Sequence, residues 1–229
     1  MLKRAFVLSA LLALALTSLY AAVTEGAKKL DKDYTAHEEE GDIPEDVLLG
    51  KKEQASIFYD YDNYDLGELR ASKWLKVVGI SNRVRKPRDK PYASTNTSGH
   101  RDLTDFAKLH RQKYVFVKNL AFRYEVYLLR PYTQAEMAQW KFGIDARNLD
   151  SEEQEFMNLG PGAYVDAAFH GHPAFIAGIR NGDLITQVNG TKIDCTEDLA
   201  ELEERAQKGD SLKVTVVRDD EELTFDMTL

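Results

Sequence analysis

The sequence predicts a mixed α+β fold, mainly β, in which a small β-rich domain is followed by a C-terminal domain of strands and short helices. Three observations carry that prediction. Alternating runs recur from residue 73 onward, in "KWLKVVGISNRVRKP", "KYVFVKNLAFRYEVYLLRP" and "SLKVTVVRDDEELTFDMTL". Helical spacing is confined to short stretches, chiefly "DLTDFAKLHRQ" and "DLAELEERAQKG". Between the runs, "GHPAFIAGIRNGDLITQVNG" (residues 171–190) concentrates the Gly, Pro and Asn-Gly signals of tight turns.

From the N-terminus, Lys3-Arg4 and the apolar run "AFVLSALLALALTSLYAAV" have the pattern of an export signal, expected over residues 1–24 and removed near Ala22-Val23-Thr24. The run is just long enough to span a bilayer if left uncut, so membrane attachment is expected only in that case. No cysteine follows it, which excludes a lipoprotein anchor. The expected location is the periplasm or cell envelope.

About two hundred residues remain, enough for one medium or two small domains. Lys and Arg number 30 against 38 Asp and Glu, a formal net charge of −8, which argues against nucleic acid as a partner. The single cysteine, Cys195, cannot form an intrachain disulfide and is expected to be a small buried hydrophobe. Stability must therefore come from apolar cores.

Residues 25–52 are polar and acidic without a sustained period and read as a flexible linker. A β-rich, sandwich-like domain of unidentified role is expected over 53–135. In its last strand Phe122, Tyr124, Val126 and Leu128 share one face, and Arg123, Glu125 and Tyr127 the other. Asp102 is the expected N-cap of its short helix, after a loop through "ASTNTSG". Toward the C-terminus, Leu199, Leu202 and Ala206 fall at helical spacing with Gly209 placed to stop the helix. The final hairpin turns at Asp219 to Glu222.

Chemistry is harder to find. "TSGH" (Thr97 to His100) is a Ser-Gly without the surrounding spacing of an acyl-transfer site, and His110 follows rather than precedes it. Asp60, Asp62, Asp65 and Glu68 hint at a calcium loop, but Asp65 stands where that loop needs glycine. His170 and His172 lack a third ligand. No catalytic residue, metal site or cofactor is expected. The basic segment from Arg83 to Lys113 reads as a solvated surface or one covered by the acidic arm, the alternative being contact with anionic envelope surfaces or polyanions.

The turn-rich stretch resolves into four short motifs: Gly171-His172-Pro173-Ala174, Ala177-Gly178-Ile179, Gly182-Asp183-Leu184-Ile185 and Val188-Asn189-Gly190. In order and spacing it resembles the core of a PDZ domain, in the bacterial, circularly permuted form found behind trypsin-like envelope proteases. His172 stands where the family keeps serine. With "FGIDARNLDSEEQEF" upstream and the helix and hairpin downstream, the resemblance covers about residues 139–229. It implies a partly open β-barrel capped by two helices, binding extended or C-terminal peptides by strand addition. On this chain it implies that the amides of Phe142, Gly143 and Ile144 hold a terminal carboxylate and that Asp145 and Ala146 pair with the peptide. Phe142, Ile144, Leu199 and Leu202 would then wall the apolar pocket. The acidic helix "EDLAELEER" implies a preference for basic or neutral peptides with an apolar end. The expected function is an exported, non-enzymatic adaptor or scaffold whose partners are peptides or protein C-termini, among them an envelope protease or a secretion or assembly component. The alternative is a protease-associated enzyme or a structural assembly subunit, with the C-terminal domain selecting substrate or partner.

Overall fold

The computed structural model describes residues 23–37, 43–60, 64–84, 92, 97–121 and 123–229. The expected signal up to residue 22, Asp62, Phe122 and four of the basic residues (Arg85, Lys86, Arg88, Lys90) lie outside the described residues. In chain order the first elements are α1 (Glu25–Lys32), β1 (Tyr34–Ala36), β2 (Ser56–Tyr59), α2 (Leu66–Lys73), β3 (Leu75–Val84), α3 (Thr97–Leu109), β4 (Tyr114–Asn119) and β5 (Arg123–Pro131). Then come α4 (Gln134–Met137), β6 (Ile144–Arg147), α5 (Ser151–Met157), β7 (Ala163–Ala168), α6 (Pro173–Ala177), β8 (Leu184–Val188), β9 (Thr191–Lys192), α7 (Thr196–Arg205), β10 (Ser211–Arg218) and β11 (Glu221–Thr228). Among the described residues, no helix is long and apolar enough to cross a membrane.

Two compact units result. One comprises Met1–Tyr64 with Lys76–Pro131, the other Asp65–Leu75 with Tyr132–Leu229. The second unit is thus built from two pieces, one of which, residues 65–75, the sequence places inside the 53–135 domain.

The first unit holds a five-stranded sheet in the order β1-β3-β5-β4-β2. Strand β2 runs parallel to β4, and β4 pairs antiparallel with β5 from Tyr114↔Leu129 to Asn119↔Tyr124. One core cluster joins Ala27 and Leu30 of α1, Leu103, Phe106 and Ala107 of α3, and Val115, Val117, Tyr124, Val126 and Leu128 of the sheet. Helices covering a single sheet replace the expected sandwich, because strand-like runs show that a face is buried and not what buries it. The segment expected to be a linker also differs. Thr24 accepts from Ala27 N to start α1, Glu25 stands in its first turn and Lys29 and Lys32 in its last, complementing the helix dipole. Its buried stripe is only Ala27 and Leu30, too narrow to register as a period in a polar stretch. Val47 and Leu49 are buried as well. Asp102 lies inside α3 and caps nothing there, since that helix begins at Thr97.

The second unit is an open sheet path, β11-β10-β8-β7-β6, with β9 paired to β8, and not a closed barrel. The C-terminal hairpin pairs Ser211↔Thr228 through Arg218↔Glu221, and Asp219 and Asp220 take the positive φ of its two-residue turn. Its core includes Phe142, Val165, Ile179, Ile185, Leu199, Val214 and Val216. Pro173 opens α6 behind His172, whose side chain makes no capping bond, and Gly178 ends it. Asp183 is 0% exposed and accepts from Arg218 Nε at 2.6 Å, Arg218 Nη2 at 2.8 Å and Arg180 N at 2.8 Å. That carboxylate ties the loop after α6 to strand β10. Cys195 is half-exposed at the N-cap of α7 rather than buried.

Candidate functional site

Strand β6 is the last strand of its sheet. Ile144↔Ala168 to Arg147↔Tyr164 pair it with β7, and among the described residues no strand pairs its other side. Alternate amides and carbonyls along β6 therefore point away from the sheet, the arrangement an added strand requires. Short length and the Asp145/Ala146 bulge limit how far such pairing can extend.

The corner before β6 is built by one glycine and one imidazole. Gly143 has φ +73°, and a Cβ there would lie 2.2 Å from His172 Cβ. Burial lowers the His172 pKa, so at neutral pH the ring meets the corner uncharged. Phe169 N donates to Gly143 O at 2.9 Å and Ala174 N to Phe142 O at 3.1 Å, anchoring the corner from α6 and from the end of β7. Gly143→Ala is expected to destabilise this unit by about 2–3 kcal/mol, from left-handed backbone and overpacking together. Thermal unfolding checks it, and His172→Gly in the same chain, which removes the clashing Cβ, should recover the steric part.

The seven residues expected at the site divide. Phe142 is 1% exposed and Leu199 6%, both in the core cluster, so neither ring nor isobutyl group forms an open pocket wall. Ile144, Ala146 and Leu202 are half-buried and pack on that cluster, leaving apolar surface beside the edge. The Phe142 amide is not free either. Glu203 Oε1, from α7, accepts from Phe142 N and from Lys141 N, each at 2.8 Å. Lys141 Nζ in turn donates to Glu204 O at 2.5 Å and Ala206 O at 3.0 Å. The expected open carboxylate nest is thus capped from within the chain at its first amide.

Asp145 is held from behind. Arg70 of α2, itself 5% exposed, donates through Nη2 to Asp145 Oδ2, and Tyr132 Oη donates to the same oxygen at 3.3 Å. Burial raises the pKa values of Tyr132 and of Asp166, the latter against the pull of Arg147 and Arg70. Arg147 donates to Asp166 Oδ1 at 3.1 Å and Glu153 Oε2 at 2.7 Å. Ala71 packs with Ala167 and Phe169, and Trp140 stacks on Phe169 with centroids 4.3 Å apart. Helix α2 comes this close because Gly67 lacks a Cβ, which would stand 2.9 Å from Asp166 O. The side chain of Asp145 is therefore structural, leaving only its backbone for a ligand.

Sequence reasoning missed Glu203 and Arg70. Glu203 was within reach, since it stands four residues after Leu199 and so shares that helical face. Arg70 gives no local signal, lying 75 residues before its partner. The suspected metal ligands are otherwise engaged: Asp60 accepts from Asn119 N at 2.8 Å, and Asp65 caps α2 by accepting from Glu68 N at 2.9 Å. Among the described residues, no group of three or more His, Cys, Asp or Glu could hold a metal ion.

A six-stranded antiparallel sheet with a positive-φ glycine corner and, among the described residues, an edge strand unpaired on its outer side defines the class of this unit. Residues 141–229 match the family model described as PDZ domain, so the C-terminal part of this chain is a PDZ domain. Two proteins named probable periplasmic serine endoprotease DegP-like are similar to it. That of Hahella chejuensis is 33% identical over 75 residues, covering 33% of this chain and 16% of its own length. That of Ectopseudomonas mendocina is 30% identical over 83 residues, covering 36% of this chain and 17% of its own. The chain thus spans about a sixth of the length of these relatives. Among solved structures, the HtrA3 PDZ domain bound to a phage-derived ligand is 25% identical, with 38% of this chain and 81% of that one covered at a TM-score of 0.35.

Proposed function

We propose that this protein is an exported binding protein of the cell envelope, in which the PDZ unit captures extended peptide segments as an additional strand on β6. The open edge of β6 is the observation that carries the reading. Main-chain pairing supplies affinity, while Ile144, Ala146 and Leu202 offer the adjacent apolar surface. The periplasmic setting is supported by the names of the two similar endoproteases. The chain acts as adaptor or scaffold rather than as catalyst. In support, two histidines considered for catalysis are in structural contacts: His100 Nδ1 lies 3.0 Å from Tyr59 Oη, and His110 Nε2 2.9 Å from Asp31 Oδ1.

Screening a random peptide array with the full chain tests this. Binders should emerge, and N-methylation at alternate residues of a binder should weaken it by about tenfold or more in one register and little in the other. Equal tolerance of N-methylation in both registers would show that no strand is added.

A further inference from the structure

The corner that a free chain end would need already holds a carboxylate. Glu203 Oε1 spans the amides of Lys141 and Phe142, and Lys141 Nζ bonds two carbonyls at the end of α7. On the proposed role of β6 as a strand template, we infer that Glu203 makes the groove selective for extended segments that bring no carboxylate to this corner, internal stretches above all. A terminal carboxylate would have to expel Glu203 from its two donors and then sit beside it, two like charges in one partly desolvated place. The Lys141 ammonium beside it is already engaged with the Glu204 and Ala206 carbonyls. Helix α7 adds Glu197, Asp198, Glu201 and Glu204, and its Arg205 is paired with Glu201 at 3.0 Å. A continuing peptide differs, because it presents only carbonyls and amides, which the outward groups of β6 satisfy without disturbing Glu203. Glu203 is thus a specificity-determining residue, and this chain departs from the C-terminal recognition its resemblance implies.

The test displays one set of random heptapeptides in three formats, as free acids, as C-terminal amides and as central segments of longer peptides, to the full-length chain. Wild type should bind the amide and internal formats at least about tenfold more tightly than the free acids. Glu203→Ala should raise free-acid affinity by about tenfold, and Glu203→Gln, which keeps an acceptor but no charge, by less. Thermal unfolding of both variants confirms that they remain folded. Wild-type preference for free acids, or an unchanged ratio in Glu203→Ala, overturns the inference while leaving strand addition intact. Silence in every format, for wild type and variants alike, overturns strand addition and the inference together.

Discussion

Asp183→Ala should destabilise the PDZ unit by about 3–4 kcal/mol, the cost of breaking a buried ion pair from one side. The carboxylate is fully enclosed and accepts from Arg218 Nε and Nη2 and the Arg180 amide, so removing it leaves several donors unmade. Part of the cost is limited because Arg218 retains 30% of its side-chain surface and can regain water. Asp183→Asn should fall between, since one amide oxygen can still accept while the charge is gone. The measurement is denaturant unfolding followed by tryptophan fluorescence. The chain has two tryptophans, Trp74 and Trp140, and both belong to this unit, so the signal reports it alone. A loss below about 1 kcal/mol would mean that the Arg218 contact is no more than a surface pair.

The second large effect belongs to Arg70. Arg70→Ala should cost about 2–3 kcal/mol, less than a fully buried pair because Asp145 and Asp166 keep 34% and 29% of their side-chain surface. The substitution leaves Asp145 with Tyr132 alone and removes the clamp behind β6. Peptide binding should weaken in parallel, because a looser edge strand must be ordered before it can pair. The same clamp makes a truncation informative. A chain starting at residue 139 lacks Arg70, Ala71 and Tyr132, and should unfold at lower denaturant concentration than the full chain. Equal midpoints for the two would show that residues 65–75 are dispensable to the unit.

Much of the C-terminal unit was legible because its signals are local. Asn189-Gly190 must turn, as both φ values are positive; Pro173 suits a first helical turn; and the period-two run from Ser211 pairs with the next one across a two-residue turn. The candidate edge strand was placed by the resemblance to PDZ domains, which puts the peptide-pairing strand directly after the Gly143 corner. The first unit was legible only as strands. Its helix α1 carries a two-residue apolar stripe that short-range periodicity does not distinguish from a polar arm. Helix α3 starts in Thr97-Ser98-Gly99, a composition that by itself suits a loop, and Leu103, Phe106 and Ala107 hold it in place through the sheet beneath.

By itself, the sequence determined the order of strands and turns from Gly162 onward, because those depend on φ restrictions and periodicity within a few residues. The glycine corner at the candidate site followed from the resemblance to PDZ domains. Only the tertiary structure decided that residues 65–75 complete the second unit, that Asp145 faces Arg70, and that Glu203 occupies the amide of Phe142. The last two join groups 75 and 61 positions apart, and such pairings are set by packing and desolvation, which no local pattern encodes.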